Sequence, residues 1–419
     1  MTSNYDVLNL EKISENPYCP HGPTIVFTNG KKSFYACSAC RDHKLCNFYL
    51  EYENDKTISE EKIKNWLSRY KASLKPMEYY DNLRKKVFNL GTEERKYCQN
   101  CNTFIFETDE NTHSKHQIIT NITNQMLKNP IRKILAPVEL NSANAQFVFD
   151  EQTSKFILDH IKKFEYDSIL CIGAPSVFES LSDLDINHML LDIDDRFMLF
   201  NDGEKFQKFN MFNNHFFNDK KKYELFLSKA KNLLILMDPP YGGIVRLISN
   251  TLNSIIEDYG HKKYSVFLVY PYFIENWIKK WLPDYNMLDY KVSYMNQKNF
   301  SQKSNLKKGS PARFFTNISL DKIELPKNEG YYFCDACKKY TYEENIHCSQ
   351  CNVCPSKDGF YYKHCKICNR CVKSAYIHCN KCKQCHLEDT TCDGTNESIA
   401  HKKRRLELNL NNKNKKFKK

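Results

Sequence analysis

Leu233-Leu234-Ile235-Leu236-Met237-Asp238-Pro239-Pro240-Tyr241-Gly242-Gly243 is the stretch on which the reading of the fold turns. The apolar run before Asp238 does not alternate with polar residues, so a strand built from it buries both faces, as in a parallel sheet covered by helices. Two successive prolines cannot donate to a sheet ladder, so the strand must stop where they begin. Outward from this point, β-rich runs are predicted at 168–173, 188–193, 207–211, 232–237 and 264–270, with later ones at 285–294 and 312–318. Amphipathic stretches at 220–230 and 245–259 fall between them. Alternation of this kind implies a doubly wound α/β fold that binds ligands at the carboxyl ends of its strands. Asp238 then closes the fourth strand.

An acidic residue and a carbonyl-bearing proline at that place have a specific chemical use. The exocyclic amine of adenine is a poor nucleophile because its lone pair is delocalised into the ring. Methyl transfer to it needs acceptors that hold the N–H groups while nitrogen pyramidalises. The Asp238 carboxylate and the Pro239 carbonyl are two such acceptors, with Pro240 fixing the turn and Tyr241 offering a plate for an unstacked base. The alternative is a proline-rich turn after a buried strand. Three other strand ends carry matching chemistry for S-adenosylmethionine. Ile172-Gly173-Ala174 sits where a nucleotide-binding turn belongs, although its second glycine is missing and a plain turn is the other reading. Asp192 and Asp194 close the second strand as ribose acceptors or as a helix cap. Asn210-Met211-Phe212 closes the third, beside the cofactor adenine or as core packing.

Of the 19 cysteines, 15 fall in Cys-x2-Cys spacings among histidines. With no basic leader followed by an apolar stretch, that usage points to metal in a soluble intracellular chain rather than to disulfides. The longest apolar run, near 266–270, is too short for a membrane span. Cys19, His21, Cys37 and Cys46 form one expected tetrahedral set, with Cys40 as a possible substitute. Cys98, Cys101, His113 and His116 form a Cys2His2 set. From Cys334 onward every cysteine fits an interleaved scheme of four Cys3His sites. The first holds Cys334, Cys337, His347 and Cys354; the second Cys348, Cys351, His364 and Cys371. The third holds Cys365, Cys368, His378 and Cys385; the fourth Cys379, Cys382, His386 and Cys392. About six structural zinc ions follow, each with four protein ligands and no open catalytic position.

Lys and Arg exceed Asp and Glu by 62 to 50, a formal charge of +12. Each Cys3His zinc site carries about −1, so five of them leave roughly +7. Residues 402–419 alone hold nine Lys or Arg and one Glu. Nearly all net positive charge therefore lies in the tail, and RNA binding by the body needs a local patch. Lys402-Lys403-Arg404-Arg405 reads as a nuclear address or as a solvated charge run.

With these residues in view, the sequence resembles the zinc-finger CCHC-domain-containing family of large-subunit rRNA N6-adenosine methyltransferases. The likeness rests on Cys19-Pro20-His21-Gly22, Phe34-Tyr35-Ala36-Cys37-Ser38-Ala39-Cys40-Arg41-Asp42, Asn144-Ala145-Gln146-Phe147, Leu190-Leu191-Asp192-Ile193-Asp194, Asn210-Met211-Phe212-Asn213, Asp238 to Gly243 and the Cys/His array. It implies a Rossmann-like class I methyltransferase core flanked by N-terminal zinc fingers and a C-terminal multi-zinc array. It further implies methylation of an adenosine in 28S-type rRNA, presented in a hairpin or flipped out, and contact of Gln146 and Phe147 with the cofactor. Expected boundaries are 15–55 for a GRF-type finger, 56–130 for a helical segment with the Cys2His2 site, 131–326 for the core, 327–393 for the array and 394–419 for a disordered basic tail. Expected location is nucleus or nucleolus and cytoplasm. Two departures stand out: the family's terminal CCHC knuckle is missing after Cys392, and Tyr241 replaces the family's Phe. Residues 301–309, polar and basic, are an expected substrate-side loop. Rival readings are methylation of a protein glutamine or a cytosine amine, and a non-catalytic zinc scaffold that binds RNA or resembles a ubiquitin ligase.

Overall fold

The near-continuous apolar runs form the centre of one twisted sheet. A computed structural model describes residues 5–39, 45–53, 58–106, 112–137, 146–201, 203–296, 310–388 and 392. Its large sheet contains β1 (Ser168–Ile172), β2 (Asn187–Asp192), β3 (Phe206–Asn210), β4 (His215–Phe216), β5 (Leu233–Met237), β6 (Tyr264–Pro271), β7 (Asn286–Met287) and β8 (Ala312–Thr316), in the order β4-β3-β2-β1-β5-β6-β8-β7. Strands β3, β2, β1, β5 and β6 run parallel, while β4, β8 and β7 pair antiparallel. The order reverses between β1 and β5, which opens a crevice at their carboxyl ends.

Both faces of β1 and β5 are covered, which is why neither strand alternates. Leu170, Ile172, Leu233, Ile235 and Met237 face a cluster with Tyr223, Phe226 and Leu227 of the Lys221–Lys229 helix and Ile248, Leu252 and Ile255 of the Val245–Asp258 helix. That last helix buries residues at helical spacing, 245, 248, 252 and 255. The opposite face is packed by the Glu151–Lys163 helix, whose Phe156 stacks on Phe314 at 5.7 Å. Asp150 caps that helix by accepting the Thr153 N–H at 2.8 Å. Each fully buried aliphatic contributes about 1.5–3 kcal/mol, so an Ile235→Asp change, which buries a charge as well, would unfold the core.

Two expectations need correction. The strand predicted at 285–294 shrinks to Asn286–Met287, because Leu288 and Val292 then bond singly to Phe314 and Ala312 and only Tyr294 forms a further bridge, to Phe149. The short antiparallel β4, missed in the sequence, makes Leu233–Met237 the fifth strand of the sheet in chain order, though still the fourth parallel one. The helical part of the expected 56–130 segment includes two longer helices, Glu60–Ser73 and Met77–Asn89, because Pro76 cannot continue the first and caps the second.

The chain divides into two compact units, Met1–Ile323 and Glu324–Lys419. The first also holds a small sheet of Asp6–Leu8, Ile25–Thr28, Ser33–Ala36 and Tyr49–Glu51, and a three-stranded one centred on Lys96–Cys98. The second consists mainly of three hairpins, Tyr331–Cys334 with Lys339–Tyr342, Tyr362–Cys365 with Arg370–Lys373, and Tyr376–Cys379 with Gln384–Leu387. Among the described residues no helix is long and apolar enough to cross a membrane. Cys40, Asn144, Ala145, the 301–309 loop and the 394–419 tail lie outside the described residues.

Candidate active site and metal centres

At the switch point the ends of β1 and β5 touch. Asp238 N–H donates to the Ile172 carbonyl at 3.0 Å, and Gly173 N–H donates to Leu191 at 3.0 Å. Gly173 has φ +63°, and a Cβ there would lie 2.6 Å from Met211 Cε and 3.0 Å from the Asp238 carbonyl oxygen. This single glycine therefore provides the backbone approach for which the sequence offered no second one. Ala174 leads directly into a helix that starts at Pro175.

The turn after β5 sorts its carbonyls. Gly243 N–H donates to the Pro240 carbonyl at 2.7 Å. The Pro239 carbonyl accepts no hydrogen bond among the described residues. Gly243 has no room for a side chain, since a Cβ would sit 2.8 Å from both Phe212 and the Tyr270 hydroxyl. Asp238 is half-buried. Loss of water pushes its carboxyl well above the usual carboxylate range, while the Tyr294 hydroxyl, donating to Oδ1 at 3.2 Å, pulls it down.

Tyr241 stands in an aromatic cluster. Phe147 stacks on it at 5.7 Å and 28°, and Tyr294 meets it edge-on at 6.4 Å. One face of the expected base-stacking plate is thus covered already. Tyr294 itself stacks on Phe149 at 5.0 Å. Segments 146–149 and 294–296 are fastened together: Met295 N–H donates to the Val148 carbonyl at 2.8 Å, Val148 N–H to Asn296 Oδ1 at 3.1 Å, and Asn296 Nδ2 to the Gln146 carbonyl at 2.7 Å.

The expected cofactor residues divide. Asp192 is buried, which with the nearby Asp194 carboxylate pushes its carboxyl up to about 7, and it accepts the Asp194 N–H at 3.0 Å. Asp194 caps the following short helix and binds Arg196, whose Nη2 donates to Oδ2 at 2.7 Å. Its alternative reading as a cap is therefore met, and its carboxylate is also committed to an ion pair. Gln146 joins that pair, accepting from Arg196 at 3.1 Å. Asn210 does not offer its amide to a ligand: Nδ2 donates to the His21 carbonyl at 2.9 Å and to Ser38 Oγ at 3.0 Å, and Oδ1 accepts from Phe212 N–H. A cavity of about 450 Å³ opens beside these strand ends, lined by Pro20, His21 and Leu45 from the N-terminal finger, by Asn210, Met211 and Phe212, and by Pro240. Its volume suits a small-molecule donor. Gly173, Asp192 and Asp238 do not line it.

The metal sets converge as the spacing predicts. Ligand atoms lie within 4.8 Å of one another in Cys19, His21, Cys37 and Cys46; in Cys98, Cys101, His113 and His116; and in the first three sets of the array. Tetrahedral zinc with ~2.3 Å bonds to sulfur requires sulfurs about 3.8 Å apart. The separations are 3.6 Å for Cys337 and Cys354, 3.6 Å for Cys351 and Cys371, and 3.6 Å for Cys368 and Cys385. Disulfides at about 2.05 Å do not fit. In the sixth set Cys379 and Cys392 are 3.7 Å apart, and His386 uses Nδ1 for the Leu387 carbonyl at 2.8 Å, so Nε2 is its remaining ligand atom. In the other array sets it is Nδ1 that faces the cysteines, for example His364 Nδ1 at 3.2 Å from Cys351 Sγ.

Sequence reasoning missed Tyr294, Arg196 and Asn296. Arg196 has a signal, since it follows the acidic pair at once. Tyr294 and Asn296 have none, because their partners are distant in the chain.

A family model described as "Probable N6-adenine methyltransferase" matches residues 140–319. The rRNA N(6)-adenosine-methyltransferase ZCCHC4 of Homo sapiens is 36% identical over 381 residues, covering 84% of this chain and 74% of its own length. The Xenopus laevis protein of that name is 35% identical over 376 residues, with 83% and 76% covered. That of Bos taurus is 35% identical over 373 residues, with 82% and 72% covered.

Proposed function

This chain belongs to the rRNA N(6)-adenosine-methyltransferase family, and from that premise we propose that Asp238 and the Pro239 carbonyl hold the amine of an rRNA adenosine for methylation. The observation that carries the assignment is the pair of acceptors at the β1/β5 crevice, one carboxylate and one carbonyl left open by the Pro240–Gly243 turn. Each receives one N6–H, which turns the nitrogen lone pair out of conjugation. Catalysis is then mainly positioning and hydrogen bonding rather than strong-base chemistry. Tyr241 supports the target base on the face that Phe147 leaves open.

S-adenosylmethionine supplies an electrophilic methyl group when bound. The cavity at Asn210–Phe212 and Pro240 fits that donor in size, and the Gly173 backbone approaches it only through Met211, which lines the cavity. Asp192, at the end of β2, is the acidic residue proposed to face its ribose, with Gln146 and Asp194 held beside it by Arg196. Six zinc ions fit the six Cys/His sets and serve structure only, since every ligand is protein. The RNA is 28S-type and the adenosine is flipped from a hairpin, in keeping with an acceptor corner too recessed for a stacked base. The chain works in nucleus or nucleolus and cytoplasm, which imaging of the tagged protein checks.

The decisive experiment maps N6-methyladenosine in rRNA from cells carrying wild type or Asp238→Ala. The mark disappears in the mutant; its persistence at full level overturns the assignment. Labelled donor with total RNA and total protein separates the substrate classes, and label in protein alone ends the RNA reading.

A further inference from the structure

We propose that residues 272–281 form a stacking platform for unpaired nucleotides flanking the target adenosine. The inference rests on the reading above that the substrate is RNA, and extends it to a surface that reading does not use. Two of the chain's three tryptophans, Trp277 and Trp281, lie here. Phe273 is 59% exposed and Trp277 44% exposed, one helical turn apart in number. Large aromatic faces left in water beside an otherwise buried core mark an interaction surface.

Cations alternate with these rings. Lys280 Nζ lies 5.2 Å from the Trp277 centroid and 5.0 Å from that of Trp281. Arg246 lies 4.8 Å over Trp281. Lys279 and Lys280 are exposed. Exposed aromatic rings with ammonium groups beside them match bases and phosphates, whereas an apolar protein partner would have to strip water from both lysines.

Position supports the same partner. Strand β6 runs parallel to β5 with Leu268 opposite Met237, so residues beyond Pro271 emerge on the rim that carries Asp238. The Tyr270 hydroxyl packs against Gly243 of the catalytic turn. Arg246 follows that turn in the first turn of the Val245–Asp258 helix, and Ser249 Oγ donates to the Trp281 carbonyl at 2.9 Å. The platform therefore adjoins the acceptor corner through both of its ends.

The test measures binding, not methyl transfer, with the full zinc-loaded chain and a short fluorescein-labelled RNA, single-stranded or as a blunt duplex. Trp277→Ala weakens single-strand binding about tenfold or more. Trp277→Tyr retains most of it, and the double change Lys279→Glu, Lys280→Glu flattens the salt dependence. Donor affinity by calorimetry is unchanged throughout. Wild-type single-strand affinity in both Trp277→Ala and the lysine variant overturns the platform, as does a co-purifying protein whose retention, unlike RNA binding, depends on Trp277. Should Trp277→Ala fail to fold, the lysine variant decides alone. A chain that binds RNA through Trp277 but transfers no methyl would refute the catalytic reading and leave the platform standing.

Discussion

At Asp238 two influences on ionisation oppose each other. Desolvation favours the neutral acid, and the Tyr294 hydroxyl favours the carboxylate. In the role proposed for Asp238 the acceptor is ionised, so activity is expected to fall as pH drops through the raised value. Tyr294→Phe removes the donor, raises that value further and moves the acid limb of kcat/KM to higher pH; an unmoved limb would make Tyr294 mere packing. Asp192 gives a stability test. Its folded carboxyl is held up at about 7, against roughly 3.9 when unfolded. Between those values the folded state binds more protons, so stability declines as pH rises from about 4 to about 7. Asp192→Asn keeps the oxygen that accepts the Asp194 N–H and removes the charge penalty. It should raise stability at pH 8 by on the order of 1 kcal/mol or more, seen as a higher melting temperature, and change little at pH 4.

Five Cys-x2-Cys turns, opening at Cys98, Cys334, Cys348, Cys365 and Cys379, use the same backbone device. In each of them the residue after the second cysteine is left-handed: Asn102 (φ 53°), Lys338 (φ 50°), Asn352 (φ 51°), Asn369 (φ 47°) and Lys383 (φ 57°). That conformation reverses the chain and aims N–H groups at sulfur, as Cys101 N–H does toward Cys98 Sγ at 3.3 Å. Asn adopts it at lower cost than Lys. Lys383→Gly should therefore stabilise the zinc-loaded fold by about 0.5–1 kcal/mol, measured by thermal unfolding at fixed metal. Cys382→Ser should lower the bound zinc by one ion per chain in elemental analysis; an unchanged count would remove the fourth array set. These sets were legible in the sequence because zinc constrains ligand type and spacing locally. Tyr294 was not, because its bond to Asp238 spans 56 residues and follows irregular chain in place of the expected strand. The second half of that expected strand failed because apolar content there serves packing on β8, not a ladder.

The N-terminal finger is part of the wall of the core, which no local pattern announced. Asn210 at the end of β3 carries the family-like motif, yet its amide holds the His21 carbonyl and Ser38. Asn213 donates to the Pro23 carbonyl at 2.7 Å. Gly22, at φ +94°, leaves room for the His215 ring, which a Cβ would approach to 2.5 Å. Burial and the nearby Lys220 lower His215 to about 4, so the neutral ring accepts the Tyr70 hydroxyl at 2.7 Å. The parallel core was readable from its apolar strands, whereas this docking joins residues some 190 apart, as Asn210 and His21 are. One consequence follows for metal and donor together. Pro20, His21 and Leu45 line the cavity, so loss of the first zinc site frees a wall as well as a finger. Cys37→Ser should remove one zinc and weaken donor binding about tenfold, although Cys37 bears no donor contact; a tenfold loss corresponds to about 1.4 kcal/mol. Asn210→Ala, which keeps all four ligands, should reproduce the donor loss with full zinc. Calorimetry paired with elemental analysis reads both quantities, and an unaltered donor affinity in Cys37→Ser would mean that the core holds its cofactor without the finger.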